Sequence, residues 1–75
     1  MNKEEFLENF ANQFDDTDPS EITFDTRFHE LDEWSSLIGM SMIAMVKVSY
    51  NKTISGAELR SCITVEDVYK LISLK

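Results

Sequence analysis

Only a few residues in this 75-residue chain are of types that do chemistry, and their spacing narrows the options. His29 is the sole histidine and Cys62 the sole cysteine. They stand far apart with no second ligand pair at metal spacing, so a zinc site is not built from them. His29 reads as a loop side chain meeting solvent or a carboxylate, and Cys62 as a small buried apolar residue. Asp15, Asp16 and Asp18 resemble a calcium loop in composition, but that loop's glycine and distal glutamate are missing. They read as a solvated helix end. Ser36, His29 and Asp32 supply the residue types of a nucleophile, base and acid, yet such a site needs a pocket that a chain this short hardly forms. What remains is the pair Ser35-Ser36, directly ahead of a long helix-forming run. A serine there can cap the helix. It can also offer a hydroxyl at a helix mouth, where free N–H groups and a partial positive charge accommodate an attached phosphate.

The elements that position this pair follow from caps and periodicity. Asn2 with Glu5 predicts an N-cap and capping box, and Phe6, Leu7, Phe10, Ala11 and Phe14 recur at helical spacing. A first helix is therefore expected over Lys3 to Phe14, ended by the run Asp15 to Ser20 with its proline. From Asp15 to Trp34 no period holds. Ile22, Phe24, Phe28, Leu31 and Trp34 predict a long, packed crossover loop with room for one short helical turn. Ser35 caps a second helix that runs through Leu37 to Tyr50 and ends at Asn51-Lys52-Thr53. Ile54-Ser55-Gly56 is expected as a connector, Ala57 to Ser61 as a short third helix. Thr64, with Asp67 three residues on, caps the last helix, whose stripe is Val65, Val68, Tyr69, Leu71 and Ile72.

At 100° per residue, the second helix carries apolar residues on two sides. Gly39, Met42, Ile43, Val46 and Tyr50 form one face, flanked by Ile38 and Met45, which is an ordinary core stripe. The opposite side holds Leu37, Met40, Ala44 and Val48, with Lys47 its only charge. Either the helix is central and buried all round, or this second strip is an exposed contact surface.

Composition sets the outer limits. Hydrophobic residues at 43% exceed what a disordered acidic tail carries. A net charge of −7 argues against nucleic acid and against anionic membrane surfaces. Eleven of the fourteen acids fall within residues 1–33, so basic partners would approach from the Asp25 to Glu33 side of Ser36. A single cysteine makes no internal disulfide, the first residues lack a signal peptide's basic flank and apolar run, and no stretch nears the ~20 apolar residues of a membrane span. A soluble cytoplasmic helical domain is the expectation.

Leu31-Asp32-Glu33-Trp34-Ser35-Ser36-Leu37, followed by Met42-Ile43-Ala44-Met45-Val46, resembles the Asp-Ser-Leu region of acyl carrier proteins. The likeness extends through Ile54 to the Ile63-Thr64-Val65-Glu66-Asp67-Val68 start of the last helix. Helix 1 and the long loop match by pattern alone, so about half of the chain carries sequence signal. The resemblance implies an all-α, acyl-carrier-like four-helix bundle over residues 1–75, with 4′-phosphopantetheine joined by a phosphodiester to Ser36, the serine before leucine. The arm's thiol would carry acyl groups as thioesters. The implied partners are a phosphopantetheinyl transferase and acyl-transferring or condensing enzymes. The chain itself would be a monomeric carrier and not an enzyme.

Two departures shape that expectation. Ser35 stands where the family usually has aspartate, with Asp32 and Glu33 the nearest acids. The second helix, usually acidic, has no acid from Ser36 to Tyr50. Partner contact is therefore expected at Leu37, Met40, Ala44 and Val48, with Asp32 and Glu33 at the helix mouth, and in a specialised fatty-acid, lipid or secondary-metabolite pathway. The alternative is an unmodified helical interaction module using the same strip.

Overall fold

Side-chain caps fix where each helix begins. In the computed structural model, which describes residues 1–75, α1 spans Lys3–Ala11, α2 Ser36–Tyr50, α3 Gly56–Ser61 and α4 Val65–Ser73. Asn2 accepts the Glu5 amide at 2.9 Å to start α1, but the Glu5 carboxylate does not reach back, so the expected capping box is half made. The Thr64–Asp67 box at α4 is complete: Asp67 Oδ2 accepts the amides of Ile63 and Thr64, each at 3.0 Å. The Thr64 amide first and the Ile63 amide second hold that carboxyl below its ordinary range. Ser55 and Glu58 form a further box, so the expected connector is in fact the cap of α3, which begins at Gly56.

Helix α1 stops at Ala11, three residues short of the expected Phe14. Its last bonds shift to the tighter i→i−3 pattern, Gln13 N to the Phe10 carbonyl and Phe14 N to the Ala11 carbonyl. The amides that follow are taken by a side chain from the far end of the crossover. Glu33 accepts Asp15 N at 2.6 Å, Asp16 N at 3.0 Å and the Thr17 hydroxyl at 2.7 Å. These bonds, the Thr17 hydroxyl foremost, keep the Glu33 carboxyl below its ordinary range against a smaller opposing effect of burial. The crossover is thus tied end to end.

Between those ends lie two 3-10 turns, Pro19–Glu21 and Phe28–Glu30, where one was expected. Asp18 caps the first and Pro19 occupies its first position, a start signal that the sequence carried. The middle of the crossover is pinned to α4 by backbone: Val65 N donates to the Thr26 carbonyl at 3.1 Å, and Glu66 N to that of Phe24 at 3.0 Å. An isolated antiparallel bridge between Arg27 and Thr64 results, and no strand forms.

The result is a small all-α four-helix bundle in which α1 packs on α2 and α4, and α3 on α2. Its core is one cluster that includes Phe6, Phe10, Phe28, Met42, Val46 and Ile72, all fully buried. The phenylalanines form a chain of ring contacts, Phe6 to Phe10 to Phe28, that carries α1's face onto the crossover. Each such ring contributes roughly 1.5–3 kcal/mol by leaving water. No helix is long and apolar enough to cross a membrane.

Candidate functional site

Ser35 and Ser36 divide the two roles that the sequence offered them. Ser35 lies in extended backbone, and its hydroxyl accepts the Ile38 amide at 3.3 Å, which makes it the N-cap of α2. Ser36 is the first residue of the helix. It is exposed, and its hydroxyl makes no hydrogen bond within the chain. The amides of Ser36 and Leu37 also lack partners, as first-turn amides do, so the hydroxyl sits beside two free donors at the positive end of a 15-residue helix. No acid occupies that first turn.

Beyond Ser36 the outer side of α2 is open to solvent. Leu37 is 71%, Met40 67% and Val48 86% exposed, and Ala44 is exposed between them. The helix is therefore not central: Gly39, Met42, Met45 and Val46 face the core, and the second apolar strip has no cover. At the mouth, Asp32 is exposed, whereas Glu33 is engaged by Asp15, Asp16 and Thr17. Its carboxylate closes the crossover, a use that its place in the sequence did not reveal.

On the inner side of Ser36, α2 and α3 leave a groove of about 430 Å³. It is lined by His29, Trp34, Ser35 and Ser36, by Gly39, Met40 and Ile43 of α2, and by Gly56, Leu59 and Arg60 of α3. Both glycines of the chain line it. A Cβ on Gly39 would sit 3.6 Å from Trp34 and 3.8 Å from Leu59, at ordinary contact distance. A Cβ on Gly56 would come 3.2 Å from Nη1 of Arg60, whose guanidinium folds back over that glycine. Sequence reasoning placed Trp34 as a loop anchor and overlooked Arg60. The signal was there in the Gly56–Arg60 spacing of four, which stacks one above the other on a helix.

His29 stacks against Phe28 and Trp34, ring centroids 4.3 and 5.0 Å away, and its Nε2 lies 3.3 Å from the Leu59 carbonyl. No hydrogen bond links it to Ser36 or to Asp32, so the three do not form a proton relay. Asp18 accepts the Ser20 amide at 2.9 Å, and no three His, Cys, Asp or Glu side chains converge as a metal ion requires. Cys62 is buried behind α3; burial first, then the charges of Asp67 and Glu58, pushes its thiol above the ordinary range.

Compared with models of protein families, with curated proteins and with solved structures, the chain matches none.

Proposed function

We propose that the chain is an acyl carrier protein that bears 4′-phosphopantetheine on Ser36. The observation that carries this reading is the division of labour between neighbours: Ser35 caps α2, which leaves the Ser36 hydroxyl exposed and unbonded beside two free amides. In the attachment step the Ser36 oxygen bonds to the pantetheine-bearing phosphorus of coenzyme A. The P–O bond to adenosine 3′,5′-bisphosphate breaks, and the hydroxyl proton passes to a base of the transferase. The arm's thiol then carries acyl groups as thioesters between acyl-transferring or condensing enzymes. The exposed strip of Leu37, Met40, Ala44 and Val48 supplies a contact surface without acids, which favours partners in a specialised fatty-acid, lipid or secondary-metabolite pathway over those that read an acidic helix.

Incubation of the purified chain with coenzyme A, magnesium and a phosphopantetheinyl transferase should add the mass of one arm, and Ser36→Ala should abolish the gain. No gain with several transferases, or an equal gain in the variant, overturns the reading. The exposed strip also favours a second reading, an unmodified helical interaction module. In that case Ser36→Ala leaves function in the native host intact while Met40→Glu, which puts a charge on the strip without touching the core, abolishes it.

A further inference from the structure

We infer that the shallow groove between α1 and the first 3-10 turn docks a basic peptide segment of a partner protein. One apolar side chain of that segment fills the groove, and the lysines or arginines beside it meet Glu4 and Glu8. The inference stands apart from the carrier reading, because the groove belongs to α1 and the crossover and takes no residue from α2 or α3.

Leu7 and Ala11 of α1, Pro19 and Ile22 of the crossover, and the two glutamates line the groove. Ala11 and Ile22 are 6% and 2% exposed and belong to the core cluster, so packed side chains back the apolar lining. The turn is fixed by the complete capping box of Asp18 and Glu21 and by Pro19 at its first position, which makes the groove preformed. Its volume of about 260 Å³ falls below the ~300–1,000 Å³ of small-molecule sites and suits one anchoring side chain.

Charge names the occupant. Glu4 and Glu8 are exposed, four residues apart on α1, and neither has a cation within ion-pair distance. Carboxylates at that spacing repel, and a cation set between them relieves the repulsion. The same turn contributes Glu21 to a second depression, where Asp16 and Asp32 also lack ion-pair partners. No lysine, arginine or histidine lines either one. Phosphate groups of a lipid or nucleic acid are repelled here, and a second copy of a chain at net −7 meets the same repulsion. A basic polypeptide with an apolar anchor satisfies both linings.

The experiment uses the unloaded chain and a fluorescein-labelled, amidated peptide in which a single leucine has paired arginines on either side. Fluorescence polarisation reads binding, and the amide resonances of Leu7, Ala11 and Ile22 locate it. All three should shift, and affinity should fall as salt rises from about 0.05 to 0.5 M. Glu4→Gln combined with Glu8→Gln alters exposed carboxylates that bond to nothing in the chain, so the fold is kept. It should weaken binding by roughly two- to thirty-fold, as for the loss of two exposed ion pairs. Glu5→Gln removes a charge from α1 outside the groove and should cost less than about two-fold. Serine in place of the peptide's leucine should cost about ten-fold. No binding at all overturns the inference. Binding that survives the leucine change, or that Glu5→Gln weakens as much as the double variant, overturns it as mere attraction by net charge. Shifts confined to Leu37, Met40 and Val48 place the contact on α2 and overturn it as well. Sedimentation of the chain alone as a dimer, with the Leu7 and Ala11 resonances moving on dilution, gives the groove to a second copy and overturns the basic partner.

Discussion

The hydroxyl of Ser35 accepts the amide of Ile38 at 3.3 Å, and this bond separates the roles of two adjacent serines. Substituting either one should have a distinct signature. Ser35→Ala removes the cap of α2 and should lower stability by about 1 kcal/mol, within the ~0.5–2 kcal/mol span of N-cap losses, while the Ser36 hydroxyl stays available for loading. Ser36→Ala touches an exposed, unbonded side chain and should change stability by less than ~0.5 kcal/mol while abolishing loading. Urea denaturation and intact mass, run on the same two variants, check both halves. A large stability loss in Ser36→Ala would mean that the hydroxyl is part of the fold.

Gly39 is the one weak helix former inside α2, and it faces Trp34 and Leu59 at distances that leave space for a methyl group. Gly39→Ala should therefore stabilise the chain by about 1 kcal/mol, the helix-propensity difference between the two residues. A raised urea midpoint with an unchanged slope is the expected result. A lowered midpoint would mean that the Trp34 ring and Leu59 cannot accept the contact.

The helices were legible in the sequence because their causes are local. Ser35, Thr64 and the periodic apolar residues of α1 and α4 act within a turn or two of themselves, and the structure places those elements close to where they were expected. Ser55 with Glu58, and Asp18 with Pro19 and Glu21, are equally local start signals, each acting within one turn. The crossover was another matter. Its order comes from bonds between residues distant in sequence: Glu33 to the amides after α1, and the Phe24 and Thr26 carbonyls to the start of α4. No period or cap announces such pairings. For the site, the serine pair and the outer strip of α2 could be read from one helix alone. The groove could not, because Trp34, Gly39 and Arg60 belong to three segments that only packing brings together.

Four carboxylates, Asp18, Glu33, Glu58 and Asp67, are held below their ordinary values by hydrogen bonds that exist only in the folded chain. A group whose folded pKa is depressed stabilises the fold fully above its unfolded pKa and loses that contribution as pH falls through the folded value. With ordinary values of 4.5 for glutamate and 3.8 for aspartate, stability from these groups should hold from neutral pH to about 5 and fall progressively below. Glu33→Gln should be less stable at neutral pH and show a shallower decline in acid. Its amide nitrogen cannot accept from Asp15 N, Asp16 N or the Thr17 hydroxyl, so part of the clamp is lost at every pH. Urea midpoints measured between pH 3 and 7 test this, and parallel curves for the two proteins would show that Glu33 contributes nothing through its charge.

The thiol of Cys62 is the only one that the polypeptide provides, and it is a poor nucleophile as placed. Its side chain is 7% exposed, and burial together with the negative charges of Asp67 and Glu58 disfavours the thiolate that reacts. A maleimide offered at neutral pH should therefore label the unloaded native chain slowly and the urea-unfolded chain rapidly. On the carrier reading, the pantetheine thiol would hang from the exposed Ser36, outside the core cluster that shelters Cys62. Loading should consequently add one rapidly reacting thiol per chain and leave the slow one unchanged, and Cys62→Ala should remove the slow phase alone. Because the two thiols differ in rate, counting the fast phase measures arm occupancy directly. Prompt labelling of the unloaded native chain would show that the segment between α3 and α4 opens readily, in conflict with the packing of Cys62 into the core cluster.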